Sequence, residues 1–405
     1  GEIFIEESKF FTIQMSNNII NIVNSVTNNG FSIRAVDEKY NVNFISNTNS
    51  INNFKNAVSE LNSMHVNTNN TYKGICTGNL YPNKIKTKNI QECITIMNYI
   101  NSNVRSYINP KVTIENVIIT MMENQRDIGI IRNDDQVIID NRPMATISCK
   151  VNINYHGNND IIYKSRSMRD SWEHVEQFIE LRINEIHRKI ELFTDIQSME
   201  SGKFQILFGP GEPGILLHEA IGHGLEGDFN SENISVFSDK LDTKISHDDV
   251  TIIDDGTIPN ERGSVNFDDE GNKSARNILV KNGVLRQYMV DRINGEKLNM
   301  LPSNGRRESY QHLPYPRMTN TFMLSGKSKF EELISQIEDG VYAVDFENGS
   351  VNISSGQFAF VSSEAYRVKN GKILYPVKGW SISGMGIEVL SNIIGVSDTV
   401  ELSLN

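Results

Sequence analysis

The sequence has little cysteine, little tryptophan, no long apolar run and no excess of positive charge. Three cysteines in 405 residues cannot complete an even framework of disulfides, so a cross-linked secreted scaffold is not indicated. No run of about 18 apolar residues occurs, so no membrane-spanning helix is expected. Lys and Arg number 39 against 50 Asp and Glu, a formal net charge of −11, and the basic face that holds a nucleic-acid backbone is missing. Neither nucleic acid nor membrane is expected as a partner, and the cytoplasm is the expected compartment. Cys76, Cys93 and Cys149 read as small apolar residues. The chain begins with Gly1 rather than Met, so a start trimmed from a longer chain is expected.

What is present suits a soluble globular protein of two domains, with 38% hydrophobic and 22% charged residues. Strand-like alternation marks 10–20 and 30–35, and helices are expected around 51–64 and 89–100. Residues 113–121, 136–140 and 145–155 read as strands, with Asn141, Arg142 and Pro143 as a turn between the last two. A single amphipathic helix is expected over 171–197, with Trp172, Val175, Ile179, Ile183, Ile186 and Ile190 on one face. The junction is placed at 198–203. Beyond it, short β-like runs at 278–280, 288–290, 341–344, 357–361 and 365–368 predominate. The expected fold class is α+β, with an N-terminal mixed α/β domain over 1–200 and a mainly antiparallel β domain over 201–405.

The segment ILLHEAIGHGLEGD, 215–228, concentrates the chemistry. It sets His218, Glu219 and His223 in an apolar run between glycine-rich turns, with Pro213 expected at the first helical position and Gly224 and Gly227 at the end. Histidines four apart face one ion from a regular helix, as in the short zinc motif. Five apart, they diverge by about 140°. One widened π-turn would return them to about 50°, and such bulges occur at functional sites; Gly222 would ease the distortion. The bland reading is two core histidines bonded to backbone, with Glu219 paired to an arginine. Ile215, Leu216, Leu217, Ala220 and Ile221 leave almost no polar face, however, so the helix is expected to be buried. Three ionisable groups there are costly unless a cation compensates them.

Five blocks in order, HEAIGHGLEGDFN (218–230), DDGTIPNERGSVNFDDEG (254–271), NGRRESYQHLPYPRMTNT (304–321), SSGQFAFVSSEAY (354–366) and PVKGWSISGMGIEVL (376–390), resemble the TldD branch of the TldD/PmbA family. The likeness runs from about Lys203 to the end, and GFSIRAV near the start resembles the family's first domain. It implies a zinc-dependent peptidase in which His218 and His223 are ligands and Glu219 is the catalytic carboxylate. The sister branch, PmbA or TldE, lacks this motif, so the intact triad points to the TldD side. The resemblance also implies a dimer, with a PmbA/TldE-like partner or a second copy, enclosing the site so that only extended peptides enter. The family's old label as a modulator of DNA gyrase gains no support as direct DNA binding from the charge. TldD proteins supply a third ligand, a cysteine in a Gly-Val-Cys-Gly type segment. This chain stops at Asn405, before that segment would begin; the expectation is that the sequence omits it, the alternative being an acid or water in place of the cysteine.

With zinc as cofactor, the expected reaction is hydrolysis of unfolded or small peptides, Glu219 taking a proton from the attacking water. Tyr310 and His312 are candidate oxyanion donors. Arg317, with Arg306 and Arg307, is a candidate contact for peptide carbonyls or a carboxylate, structural pairing with nearby acids being the alternative. Asp228, Asp254 and Asp255 are candidate acceptors behind a ligand histidine, and His247 reads as solvated. The competing reading is a non-catalytic binding subunit that assembles with a partner.

Overall fold

The computed structural model describes residues 1–36, 41–48, 50–62, 74–134, 136–377, 379–401 and 403. The first half is organised by a seven-stranded sheet of β1 (Glu2–Ser16), β2 (Ile19–Val36), β3 (Asn41–Ser46), β4 (Ile75–Cys76), β5 (Val112–Arg132), β6 (Val137–Tyr155) and β7 (Asn158–Met168). The order is β3-β2-β1-β5-β6, with β4 and β7 both beside β6, and every pairing but β4 with β6 is antiparallel. The first hairpin turns at Asn17 and Asn18, both with positive φ (47° and 66°), as the tight primed turns of right-twisted ribbons require.

Helices α1 (Ile51–Asn62), α2 (Ile90–Ser106), α3 (Trp172–Glu176) and α4 (Ile179–Leu192) complete this half. The expected end of α1 at Met64 lies outside the described residues. A reciprocal cap starts α2: Asn89 Oδ1 accepts from Glu92 N at 3.0 Å and Glu92 Oε2 from Asn89 N at 2.8 Å. Its buried Cys93, Met97, Ile100 and Val104 pack with Ile183, Ile186 and Ile190 of α4 against Ile13, Ile119, Ile147 and Val151 of the sheet. Burying each such side chain fully is worth about 1.5–3 kcal/mol.

Two expectations need correction. The helix over 171–197 is two, broken at Gln177 and Phe178, where the Arg166 guanidinium lies 4.6 Å from the Phe178 ring centre. The apolar period survives because both pieces pack on the same core. The turn at 141–143 is absent: β6 runs straight through it. Beside β6, β4 pairs only 137–138 and β7 only 145–155, so Pro143 falls where that flank carries no strand, and a residue without an N–H is tolerated there.

The second half carries β8 (Gln205–Phe208), β9 (Ile252–Asp255), β10 (Arg276–Lys281), β11 (Val284–Leu285), β12 (Gly305–Arg306), β13 (Tyr315–Pro316), β14 (Thr321–Met323), β15 (Asp339–Asn352), β16 (Gln357–Lys369), β17 (Lys372–Pro376) and β18 (Ser381–Met385). One sheet runs β17-β16-β15-β8 with β18 on β16, another β11-β10-β9-β14, and only β15 with β8 is parallel. The expected strand at 288–290 is a single bridge, Glu226 to Met289, and the runs at 357–361 and 365–368 are one strand. The architecture is mixed α and β with strands predominant.

Charges join the halves. Glu2 sits between Arg307 (2.6 Å), Arg34 (3.3 Å) and Arg292 (3.4 Å), and Arg34 reaches Glu270 at 2.6 Å. Arg142 bridges Asp140 (2.8 Å) and Asp269 (2.6 Å), and Asp345 holds Lys164 (2.8 Å) and Lys189 (2.5 Å). Phe4, Ile128, Ile130 and Ile138 of the first half also form one buried cluster with Phe267 and Tyr310 of the second.

Candidate metal centre

Strand β8 leads into GPGEPG, where Gly211 takes φ 77°, and the chain turns into α5 (Gly214–Leu217) with Pro213 at helical φ −61° just before it. The helix then widens. A π-turn spans His218–Gly222, closed by the His223 N–H bonding to the His218 carbonyl five residues back, and a 3₁₀ turn follows over His223–Leu225. The rings of His218 and His223 stand 5.0 Å apart, centre to centre, at 84°. One ligand atom from each of His218, Glu219 and His223 falls within 4.8 Å of the other two, so one cation fits all three.

Packing holds the widened turn. Leu216, Leu217, Ala220, Ile221 and Leu225 are buried in the core of this half, whereas Ile215, His218, Glu219 and His223 retain exposure. The segment is therefore buried on one side only, contrary to the sequence expectation, and its polar groups take the open side. Gly222 has ordinary helical angles (φ −57°, ψ −52°), so its freedom is unused. What it supplies is space, since a Cβ there would overlap Met318 Sδ, and one on Gly386 would overlap the Ala220 carbonyl. The turn ends at Glu226 in extended backbone, and Gly227 begins α6 (Gly227–Ser231) instead of closing the motif.

Glu226 is the residue that sequence reasoning missed. It is buried, its Oε1 lies 3.2 Å from His223 Nδ1 and its Oε2 3.1 Å from an Arg317 nitrogen. Its position three residues after His223 was the available signal. With Nδ1 bonded to Glu226, His223 presents Nε2 toward Glu219, 3.8 Å away. The Glu226 hydrogen bond, opposed by burial, raises the His223 pKa. Burial, the neighbouring His223 and Arg262 lower that of His218 to about 4. His218 is thus a neutral imidazole at neutral pH, the form that binds a cation.

The other sequence candidates separate. Arg317 reaches the centre only through Glu226, with Asp228 at 3.7 Å; burial and the Glu226 charge push Asp228 up to about 6. Tyr310 and His312 are not brought to the histidine pair. Tyr310 is packed against the first sheet, its N–H on Glu6 and its hydroxyl on Asn47, and His312 bonds Ser309 at 3.0 Å. Arg307 is committed to Glu2 and Ser32. Asp254 is held by Asn304, Thr319 and Thr321, and Asp255 Oδ1 accepts twice from Thr257. His247 accepts from Asp249 N at 3.2 Å and is partly exposed. Cys93 and Cys149 are buried, which pushes their thiols up to about 11 and 12; Cys76 is half-buried.

His218 opens onto a cleft of about 2180 Å³ lined by both halves, by β14 and β18, and by 392–397, 399–401 and 403. No described helix is long and apolar enough to cross a membrane.

The profile of the PmbA/TldA metallopeptidase C-terminal domain matches residues 201–405, and that of PmbA/TldA metallopeptidase domain 1 matches 1–64. The chain is 43% identical over 281 residues to a metalloprotease TldD homolog of Buchnera aphidicola, covering 66% of this chain and 58% of that protein. It is 50% identical over 205 residues to one of Haemophilus influenzae, covering 50% and 42%. It thus spans about half the length of these relatives. Its fold is that of a candidate DNA gyrase modulator from Thermotoga maritima (20% identity, TM-score 0.78, covering 99% of this chain and 92% of that one). TldE from Thermococcus kodakarensis is likewise similar (16% identity, TM-score 0.74, covering 98% and 91%). With two family domains matched, one of them over half of the chain, and TldD relatives at 43–50% identity, the chain belongs to the TldD branch of the PmbA/TldD metallopeptidase family.

Proposed function

We propose that this chain is the metal-bearing part of a zinc peptidase that hydrolyses unfolded or small peptides. The observation that carries the reading is the π-turn, which converges His218 and His223 on one point with Glu219 beside it. His218 and His223 hold the ion, and a cysteine of the kind the family resemblance implies is the third ligand. When bound, zinc supplies Lewis-acid activation of a water and of the scissile carbonyl. Glu219, partly exposed and one residue from a ligand, accepts the proton of the attacking water and returns it to the leaving amine. Such transfer is worth about 10² to 10⁴ in rate. Glu226 fixes the ring of His223 and Arg317 holds Glu226.

Strands β14 and β18 each pair on one side only and both line the cleft, so an extended peptide can add to either edge by backbone hydrogen bonds. A PmbA/TldE-like partner or a second copy encloses the site, and the enzyme works in the cytoplasm.

The test is metal content and peptide hydrolysis measured together on the full-length protein with its partner. Glu219→Gln keeps zinc and loses hydrolysis by at least about 10²-fold; His218→Ala loses both. A Glu219→Gln protein above a tenth of wild-type activity would sink the assignment.

A further inference from the structure

The two faces of the first sheet are covered differently. Helices α1, α2 and α4 pack on one, beside Ile3, Ile13, Ile119 and Ile147. On the other, cross-strand pairing sets residues side by side in rows. Glu6, Ile128 and Asp140 share one row and Ser8, Arg126 and Arg142 the next. The second half covers both, with the Tyr310 N–H on Glu6 and Asp269 on Arg142.

Beyond those rows the same face lies open. Its next three rows run from Val26 to Met144, from Asn24 through Thr12 and Met122 to Ser167, and from Ile22 to Ser165. None of the three holds a charged side chain, in a chain in which 22% of residues are charged. The row after them brings in the first charge, Lys150, beside Tyr163. Six large apolar side chains of this face, Phe10, Ile22, Val26, Met122, Ile161 and Tyr163, are 38–52% exposed. Strand and residue spacings give the open area as about 20 by 25 Å. That is roughly 500 Å², near the upper end of what a lone subunit exposes and most of the roughly 800 Å² per partner that a stable association buries.

The edge of this face is equally unguarded. Strand β3 pairs with β2 only over 31–36. Among the described residues no strand lies on the outer side of 19–30, a stretch with neither charge nor proline. Edges that stay single in solution usually carry such guards.

We propose that this face packs against the same face of a second copy of the chain, related to it by a two-fold axis. The missing charge identifies the occupant. A partner of different sequence is selected by charges that match it and repel a copy of the chain itself, and this face has no such device. A second copy offers an equally uncharged surface. Lys150, Ile161, Tyr163 and Ser167 also line the cleft, so the second copy closes the cleft from that side.

This inference gives the enclosed site of the proposed function its surface and rests on that reading, while its test measures association and not hydrolysis. The full-length protein, purified alone, is followed by sedimentation over a wide range of concentration. The expected result is a dimer whose dissociation constant rises at least about tenfold in Met122→Glu and in Val26→Asp, because each sets like charges into an apolar contact. Ile108→Asp, at a residue 87% exposed between α2 and β5, leaves it unchanged. Oxidative footprinting of the wild type needs no variant: Phe10, Met122 and Tyr163 are labelled less above the dissociation constant than below it. A monomer at every concentration overturns the proposal, even where the protein binds a chain of different sequence. A dimer that tolerates both charges, is lost equally in Ile108→Asp, or leaves the three side chains equally labelled overturns the choice of face. Hydrolysis by the zinc-loaded wild type is scored separately. A monomer that cleaves peptides spares the peptidase reading, and a dimer that cleaves none overturns that reading alone.

Discussion

Glu226 Oε1 lies 3.2 Å from His223 Nδ1, a buried carboxylate behind a partly exposed imidazole. The contact sets which nitrogen His223 can offer. Replacing Glu226 by Gln keeps an acceptor but removes the charge, and zinc affinity is expected to fall by about 10- to 100-fold, read by competition with a chelator of known strength. Unchanged affinity would show that Glu226 does not support the centre.

The two histidines titrate on opposite sides of 6.5 in the metal-free protein. His218 is lowered to about 4 by burial, by His223 and by Arg262, so the unfolded state binds the extra proton. Its contribution to stability is present above about 6.5 and is lost as pH falls toward 4. His223 is raised by Glu226. Its contribution is present below about 6.5 and disappears as pH rises through its folded value. Imidazole proton shifts recorded across pH 3–9 check this, and coincident titration would contradict it.

A Cβ at Gly222 would overlap Met318 Sδ. Gly222→Ala is expected to lose about 1–3 kcal/mol through overpacking. In the double variant with Met318→Ala the loss is smaller than the sum of the two single losses, because the truncated side chain vacates the space. Denaturant melts of all four proteins measure the coupling. Strict additivity would mean that the two residues do not meet.

Arg142→Ala leaves Asp140 and Asp269 buried without their cation and is expected to cost about 3–5 kcal/mol, seen as a lower denaturation midpoint. Burial alone would raise Asp269, but Arg142 and neighbouring arginines hold it at about 2. Its contribution is therefore complete above about 3.9 and is lost as pH falls through 2. In the Arg142→Ala protein Asp269 loses that depression, so its acid-side loss should shrink or disappear, and the gap in stability between wild type and variant should narrow as pH falls below about 3.9.

The π-turn could be read from the five-residue spacing of His218 and His223, because helical geometry forbids any other way for them to share an ion. Glu226 was signalled only by its place three residues after His223, since its role depends on Arg317 and on the chain becoming extended just after the motif. Tyr310 was drawn to the site by its neighbours in sequence, while its N–H belongs to Glu6, 304 positions away. The same kind of long-range pairing hid the course of β6. Asn141, Arg142 and Pro143 have turn chemistry locally, but Arg142 is buried by Asp269 from the other half. In β1 the inward residues include Glu2 and Glu6, so an apolar alternation marks only part of the strand.

Glu2 and Arg34 come from one half, Glu270 and Arg307 from the other, and all four are buried together. The two halves are matched like a key to its lock, each carrying charges that the other helps to neutralise, beside the pairing of Glu2 with Arg34 inside the first half. Exchanging one half for that of a relative would succeed only where the relative keeps the same signs at these positions. Drift at any one of them must be accompanied by change across the seam, and a hybrid gene that ignored this would yield two well-formed parts that fail to join.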